Sequence, residues 1–359
     1  MNEQLRYYIA LNGGLKVMEC RSGLMNTVGE FFEGRTLEHL SGCRQRPEVV
    51  FAAVAFDGGH RTQDAGRTWE KVLGGDVRTF TVDPHDECVV YAGIGPIRLF
   101  RSEDRGSTWE PLDGLLQLPD EVKSKWTVPE RLRGIEHPHV RYIFVHPEDP
   151  NLLFVLLEHG GVFLSRDRGR TWEDASSGIV YLDMHLLANY PGSKDRFYVS
   201  SARGFFRSDD CGRQWRRVEN GMPWGYTELY SYSHEWMFLP GNPPRMVLAS
   251  AKGSPGVWSR EKRDPEGVIM RSDDSGESWR QASVGGLADK MPWMPWVLVR
   301  HPTDRNTIFA GMGDGARGYG FDPKERGKGA FYVTRDRGDS WEPVLRDMPS
   351  ILTAWVAAD

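Results

Sequence analysis

One octapeptide, Ser/Thr-x-Asp-x-Gly-x-(Thr/Ser/Gln)-Trp, occurs six times in this 359-residue chain, and no other feature limits its fold so strongly. The copies run 62–69, 102–109, 165–172, 208–215, 272–279 and 334–341, ending on Trp69, Trp109, Trp172, Trp215, Trp279 and Trp341. In a tight hairpin the Asp carboxylate and the Ser/Thr hydroxyl satisfy turn amides, while Gly supplies a positive φ that other residues resist. The Trp opens the outgoing strand and buries roughly 150 to 250 Å² between neighbouring sheets, a gross gain of about 4 to 6 kcal/mol at most. The box aspartates therefore read as structural staples rather than catalytic groups.

The segments around each box repeat a four-strand frame. Residues 76–113 hold it plainly: DVRTFTVDP is an inner strand, CVVYAGIG the second, IRLFRS the third and TWEPL the fourth. The frame recurs across 139–175 and 184–218, in longer form across roughly 228–283 and 291–345, and earlier across 35–73, where EVVFAAVAF is the second strand. The N-terminal YYIALNGG, GLKVMECR and TVGEFFEG add three strands without a box, and the C-terminal SILTAWVAA adds one. Pairing the two termini removes free sheet edges, whereas a six-unit ring would strand the segment around Trp355. The sequence thus predicts an all-β chain, one seven-bladed β-propeller of four-stranded blades. The expected blades are 6–34 plus 350–358, 35–73, 76–113, 139–177, 183–221, 228–285 and 291–347.

This pattern resembles the Asp-box, or BNR, repeat of sialidases, xyloglucanases, sortilin-type receptors and photosystem II assembly factors. The resemblance implies that each box caps the turn between third and fourth strands, away from the functional face. A sialidase would need a Phe/Tyr-Arg-Ile-Pro motif and six blades; the nearest string, Gly95-Pro96-Ile97-Arg98, has the wrong order, so a true sialidase is not expected. Xyloglucanases of this kind join two seven-bladed domains with a catalytic carboxylate on each wall of the cleft, and this chain supplies one domain. A glycoside hydrolase or glycan-binding protein using paired carboxylates in a single mouth stays open, as does a non-enzymatic scaffold that holds a protein partner.

Charge and composition narrow the partners. The 45 basic and 50 acidic residues are interspersed, for a formal net charge of −5, so neither nucleic acid nor anionic membrane is an expected partner. No apolar run approaches the roughly 20 residues of a membrane span. The opening MNEQLRYYIALNGG does not read as a secretory signal, and unless such a segment was trimmed a cytoplasmic location is expected. Cys20, Cys43, Cys88 and Cys211 form no CxxC pair and read as reduced.

With the boxes on one face, the long connections fall on the other. Residues 113–138, 219–231 and 284–294 join blades, while 252–268 and 312–329 lie between second and third strands; loops gathered on a rigid scaffold commonly build a site. They carry Trp126, Trp224, Trp258, Trp293 and Tyr226 beside Glu130, Glu136, Glu228, Asp314, Arg317 and Asp322. His146 and His301 align with the far turn and read as structural. His137, His139, His185 and His234 sit at or before the starts of three consecutive inner strands, near Glu136, Asp183 and Glu235. His185 and His234 share their register with Arg78, Arg141 and Trp296.

The expected site is a small-molecule or carbohydrate pocket at the mouth of the central channel. Its expected catalytic residues are His185, His234, Glu235 and Asp183. Arg78, Arg141, Trp224, Trp236, Trp293, Trp296, Glu228, Asp314 and Arg317 are expected to bind substrate. His137, His139, His185 and His234 form a ligand set that zinc, iron or copper would accept with a position open for water or substrate. No HExxH spacing fixes that geometry, and His137-Pro138-His139 is free to splay its rings. A metal centre, a proton-shuttling or substrate-binding histidine group, and plain channel packing therefore remain three open readings.

Overall fold

The computed structural model describes residues 4–130, 137–224, 231–261, 264–282, 285–314 and 328–358, with the side chains of 259 and 260 excepted. They form seven antiparallel four-stranded sheets. The innermost strands, from the first blade to the seventh, are Ile351–Ala358, Leu37–Gly42, Asp76–Val82, His139–Val145, Met184–Asn189, Ser231–Leu239 and Met294–Arg300. Each packs on the next, and the seventh on the first, so the ring is closed. The first blade takes its inner strand from the C-terminus: Ile351–Ala358 pairs antiparallel with Leu5–Leu11, Leu5 opposite Ala358 and Ala10 opposite Thr353. Among the described residues no helix is long and apolar enough to cross a membrane.

The hydrophobic core lies between blades rather than at one centre. Phe154, Leu156 and Leu164 of the fourth blade, for example, close on Met184, Leu187, Phe197 and Trp215 of the fifth. Strand alternation produces this, because successive side chains enter opposite inter-blade layers.

The boxes lock both the hairpin and the ring. In the copy beginning at Ser102, its Oγ donates to Asp104 Oδ1 at 2.8 Å and accepts from the Gly106 amide at 2.7 Å. Asp104 also accepts from the Thr108 amide at 2.8 Å and the Thr108 hydroxyl at 2.7 Å. Those Thr108 bonds, with the Ser102 hydroxyl, hold the Asp104 carboxyl down at about 2. In the later boxes the Trp reaches across to the preceding blade. Trp215 Nε1 donates to the Ala175 carbonyl at 2.8 Å, Trp279 Nε1 to Val218 at 2.9 Å and Trp341 Nε1 to Ala282 at 3.2 Å. The main chain repeats the tie, with the Trp279 amide donating to Asn220 at 2.8 Å.

So close an approach dictates the next residue. Gly221 has φ 85°, and a Cβ there would stand 2.2 Å from the Trp279 carbonyl oxygen; Gly286, with φ 96°, would meet the Trp341 carbonyl at 2.0 Å. Gly192 has φ 75° but open space around it. Gly192→Ala is expected to cost about 1 kcal/mol of left-handed strain. Gly221→Ala should lose about 2 kcal/mol more through overpacking. Equilibrium urea unfolding separates the two, and equal losses would mean that the blades are not stapled at Gly221.

Candidate functional site

All seven inner strands slip by a residue near their starts. The pairing shifts between Leu37 and His39, Val77 and Thr79, Val140 and Tyr142, Met184 and Leu186, Ser233 and Trp236, and Pro295 and Val297. In the first blade the slip skips Leu352, between Ile351 and Thr353. A bulge re-aims the skipped residue, and here the skipped set is Leu352, Glu38, Arg78, Arg141, His185, the pair His234 and Glu235, and Trp296. Except for Glu235, which is half-buried, each is at most 9% exposed.

These side chains meet one another across blades far apart in sequence. Arg78 Nη1 lies 3.5 Å from Glu38 Oε1, and Arg141 Nη1 3.9 Å from Glu38 Oε2. Arg141 Nη2 donates to His234 Nε2 at 3.1 Å. A guanidinium cannot accept, so His234 carries its proton on Nδ1. The His234 ring packs 4.8 Å from His185 and 5.4 Å from Trp296. Burial pulls both guanidinium pKa values down, but Glu38 with Asp76 at Arg78, and Glu158 with Glu38 at Arg141, outweigh it and raise them.

Beside this ring, the junction of the fourth and fifth blades collects a second group. Glu158 ends the strand Leu153–Glu158, His159 follows in a left-handed turn at φ 63°, and Asp183 directly precedes Met184–Asn189. One donor atom from each of Glu158, His159 and Asp183 lies within 4.8 Å of the others. Strand pairing sets His139 opposite Glu158, with Nε2 3.2 Å from Oε2. Burial raises the Glu158 pKa, yet His139, Arg141 and His159 together hold it well below the usual carboxylate range. The same junction opens into a cleft of about 450 Å³ lined by Lys125, Thr127, Val128, Pro129, His159, Tyr181, Leu182, Asp183 and Arg203. The Arg203 guanidinium stacks 4.5 Å from the centre of the Tyr181 ring.

The four imidazoles expected to share a metal do not converge on one point. His137 turns to Asp76, Nε2 to Oδ2 at 3.0 Å, while His139 faces Glu158, His185 faces Asp183 and His234 faces Arg141. Trp224 and Trp236 lie in the core between the fifth and sixth blades with Phe205 and Trp279, not at the mouth. For Trp236 the cause is the bulge, which changes the alternation after His234 and Glu235 and sends the indole into the inter-blade layer. Trp258 is pinned by its Nε1 bond to the Lys252 carbonyl at 2.7 Å and packs on Tyr232 and Trp296. Trp293 is half-buried against the layer between the last two blades, and Trp126 sets its edge on Phe163.

Asp314 accepts from the Lys328 amide at 2.7 Å, closing the base of the 312–329 connection. His146 and His301 accept backbone amides in turns, from Glu148 and Asp304. Glu136, Tyr226, Glu228, Arg317 and Asp322 lie outside the described residues. Sequence reasoning passed over Glu38, Glu158 and His159. Aligning 37–43 on 77–83 puts Glu38 on Arg78, and the His159-Gly160 turn was a short connection that length alone did not flag.

Closed ring, boxed hairpins and a polar mouth define a seven-bladed β-propeller of the repeat-built kind. A family model described as the BNR-Asp box repeat matches residues 99–112. The chain is similar to the oligoxyloglucan-reducing end-specific xyloglucanase of Emericella nidulans, 25% identical over 224 residues, which cover 57% of this chain and 24% of that protein. Among solved structures it is similar to the GH74 enzyme of Niastella koreensis, with TM-score 0.62 and 15% identity over 86% of this chain and 45% of that one. It is also similar to YCF48 bound to D1 peptide, with TM-score 0.50 and 18% identity over 86% and 82% of the two chains. The protein is a propeller that carries Asp-box turns, and it matches about a quarter of the length of the Emericella relative.

The axial charges make the ring sensitive to one residue. Glu38→Gln removes the carboxylate shared by Arg78 and Arg141 and is expected to cost about 3 to 5 kcal/mol, as for a broken buried pair. Thermal and urea unfolding measure it; a loss below about 1 kcal/mol, the value of an exposed pair, would show that these groups are solvated.

Proposed function

We propose that the protein binds a sugar-like ligand in the cleft between its fourth and fifth blades. The observation that carries this reading is the lining of that cleft: a carboxylate (Asp183), two cations (Lys125 and Arg203), an imidazole (His159) and a half-buried aromatic ring (Tyr181) around about 450 Å³. Carboxylate and cation bracket hydroxyl groups through charge-assisted hydrogen bonds, and the Tyr181 ring, stacked on Arg203, adds an apolar edge to the site. Similarity to a xyloglucanase supports the same ligand class. Hydrolysis would need a proton donor, and Glu158, held well below the usual carboxylate range with the Arg141 guanidinium beside it, is unsuited to that role.

A second reading has one specific support: the likeness to YCF48 bound to D1 peptide covers 82% of that chain, so a single propeller of this kind holds a peptide. Calorimetric titration with xyloglucan and cello-oligosaccharides distinguishes the two. The expected result is saturable binding, weakened roughly 10-fold in Tyr181→Ala and roughly 10- to 100-fold in Asp183→Asn. No binding at millimolar sugar, or equal affinity in both variants, would overturn the sugar reading in favour of a peptide-holding mouth.

A further inference from the structure

The geometry points to a zinc-class metal site at the junction of the fourth and fifth blades: we propose that Glu158, His159 and Asp183 hold one divalent ion, with His185 beside Asp183. Zinc takes imidazole nitrogen and carboxylate oxygen at roughly 2.0 to 2.2 Å, so two donors on one tetrahedral ion stand roughly 3.4 Å apart, and more as the angle opens. His159 Nδ1 lies 3.8 Å from Asp183 Oδ2, and His185 Nε2 lies 3.8 Å from Asp183 Oδ1. The His159–Asp183 separation exceeds a hydrogen bond and suits a shared ion. Glu158 completes the group, one donor atom from each of Glu158, His159 and Asp183 lying within 4.8 Å of the others.

The surroundings hold the group in place. His185 Nδ1 donates to the Ser233 carbonyl at 2.6 Å; because a carbonyl only accepts, the neutral ring keeps its lone pair on Nε2, toward Asp183. His139 does the same at Nδ1, donating to the His137 carbonyl at 3.0 Å, and approaches Glu158 Oε2 from the side, where it orients the carboxylate. The cleft lined by His159 and Asp183 gives the ion an access route and leaves a position for ligand. This site differs from the four-histidine set of the sequence, because it draws on a turn of the fourth blade and uses neither His137 nor His234.

The test is zinc binding by full-length protein purified without immobilised metal and stripped with chelator, read by calorimetry with zinc chloride and by elemental analysis after dialysis. One zinc per chain is expected. His159→Ala and Asp183→Asn should each weaken it by more than the roughly 10- to 100-fold that loss of an outer-shell partner costs. His137→Ala should leave it unchanged, and near-ultraviolet circular dichroism verifies that each variant is folded. Absence of zinc binding in the stripped protein, or binding that survives in folded His159→Ala and Asp183→Asn, would overturn the proposal. The inference does not depend on the sugar reading: zinc is measured without sugar, and sugar titration of the stripped protein reports the other claim separately.

Discussion

A one-residue slip at the head of each inner strand is the constraint on which the rest of this molecule depends. A regular strand would send alternate side chains into the two inter-blade layers and leave the axis to whatever remained. The slip instead turns Leu352, Glu38, Arg78, Arg141, His185, His234 and Trp296 out of that alternation at one level of the ring. Five of these seven are ionisable, and all seven are buried. Buried charge must be paired, so Glu38 serves two guanidiniums and Arg141 also donates to His234.

That pairing is what gives the mouth a fixed geometry. Arg141 stands between the axial ring and Glu158, its Nε 3.5 Å from Oε2, so the axial charges and the cleft group belong to one network. His139 and His185 are each tied through Nδ1 to a backbone carbonyl. Rings held in this way present a defined nitrogen to their neighbours. The scaffold outside enforces the arrangement: Trp215, Trp279 and Trp341 bond to the preceding blade, and the terminal strands close the ring.

The sequence disclosed the scaffold because its determinants are local. An octapeptide that satisfies its own turn is visible in any one copy, and six copies at blade spacing leave little choice of architecture. The shared register of Arg78, Arg141, His185, His234 and Trp296 was legible too, since it follows from aligning inner strands. Side-chain direction was not. Whether Trp236 faces the mouth or a core layer depends on a bulge two residues earlier, and no propensity marks that bulge. Glu158 and His159 were hidden for a different reason. Their partner Asp183 belongs to the next blade, and the turn that joins them is short, so neither insertion length nor residue clustering drew attention to it.

If the mouth is held in one arrangement by the axial slips, its histidines must each occupy a single protonation form. Nitrogen–proton correlation spectra of protein labelled with ¹⁵N-histidine near neutral pH test this most directly. The account predicts that His185 and His234 are both locked with the proton on Nδ1, one by the Ser233 carbonyl and the other by Arg141. Exchange-averaged rings, or a proton on Nε2 of His185, would contradict it.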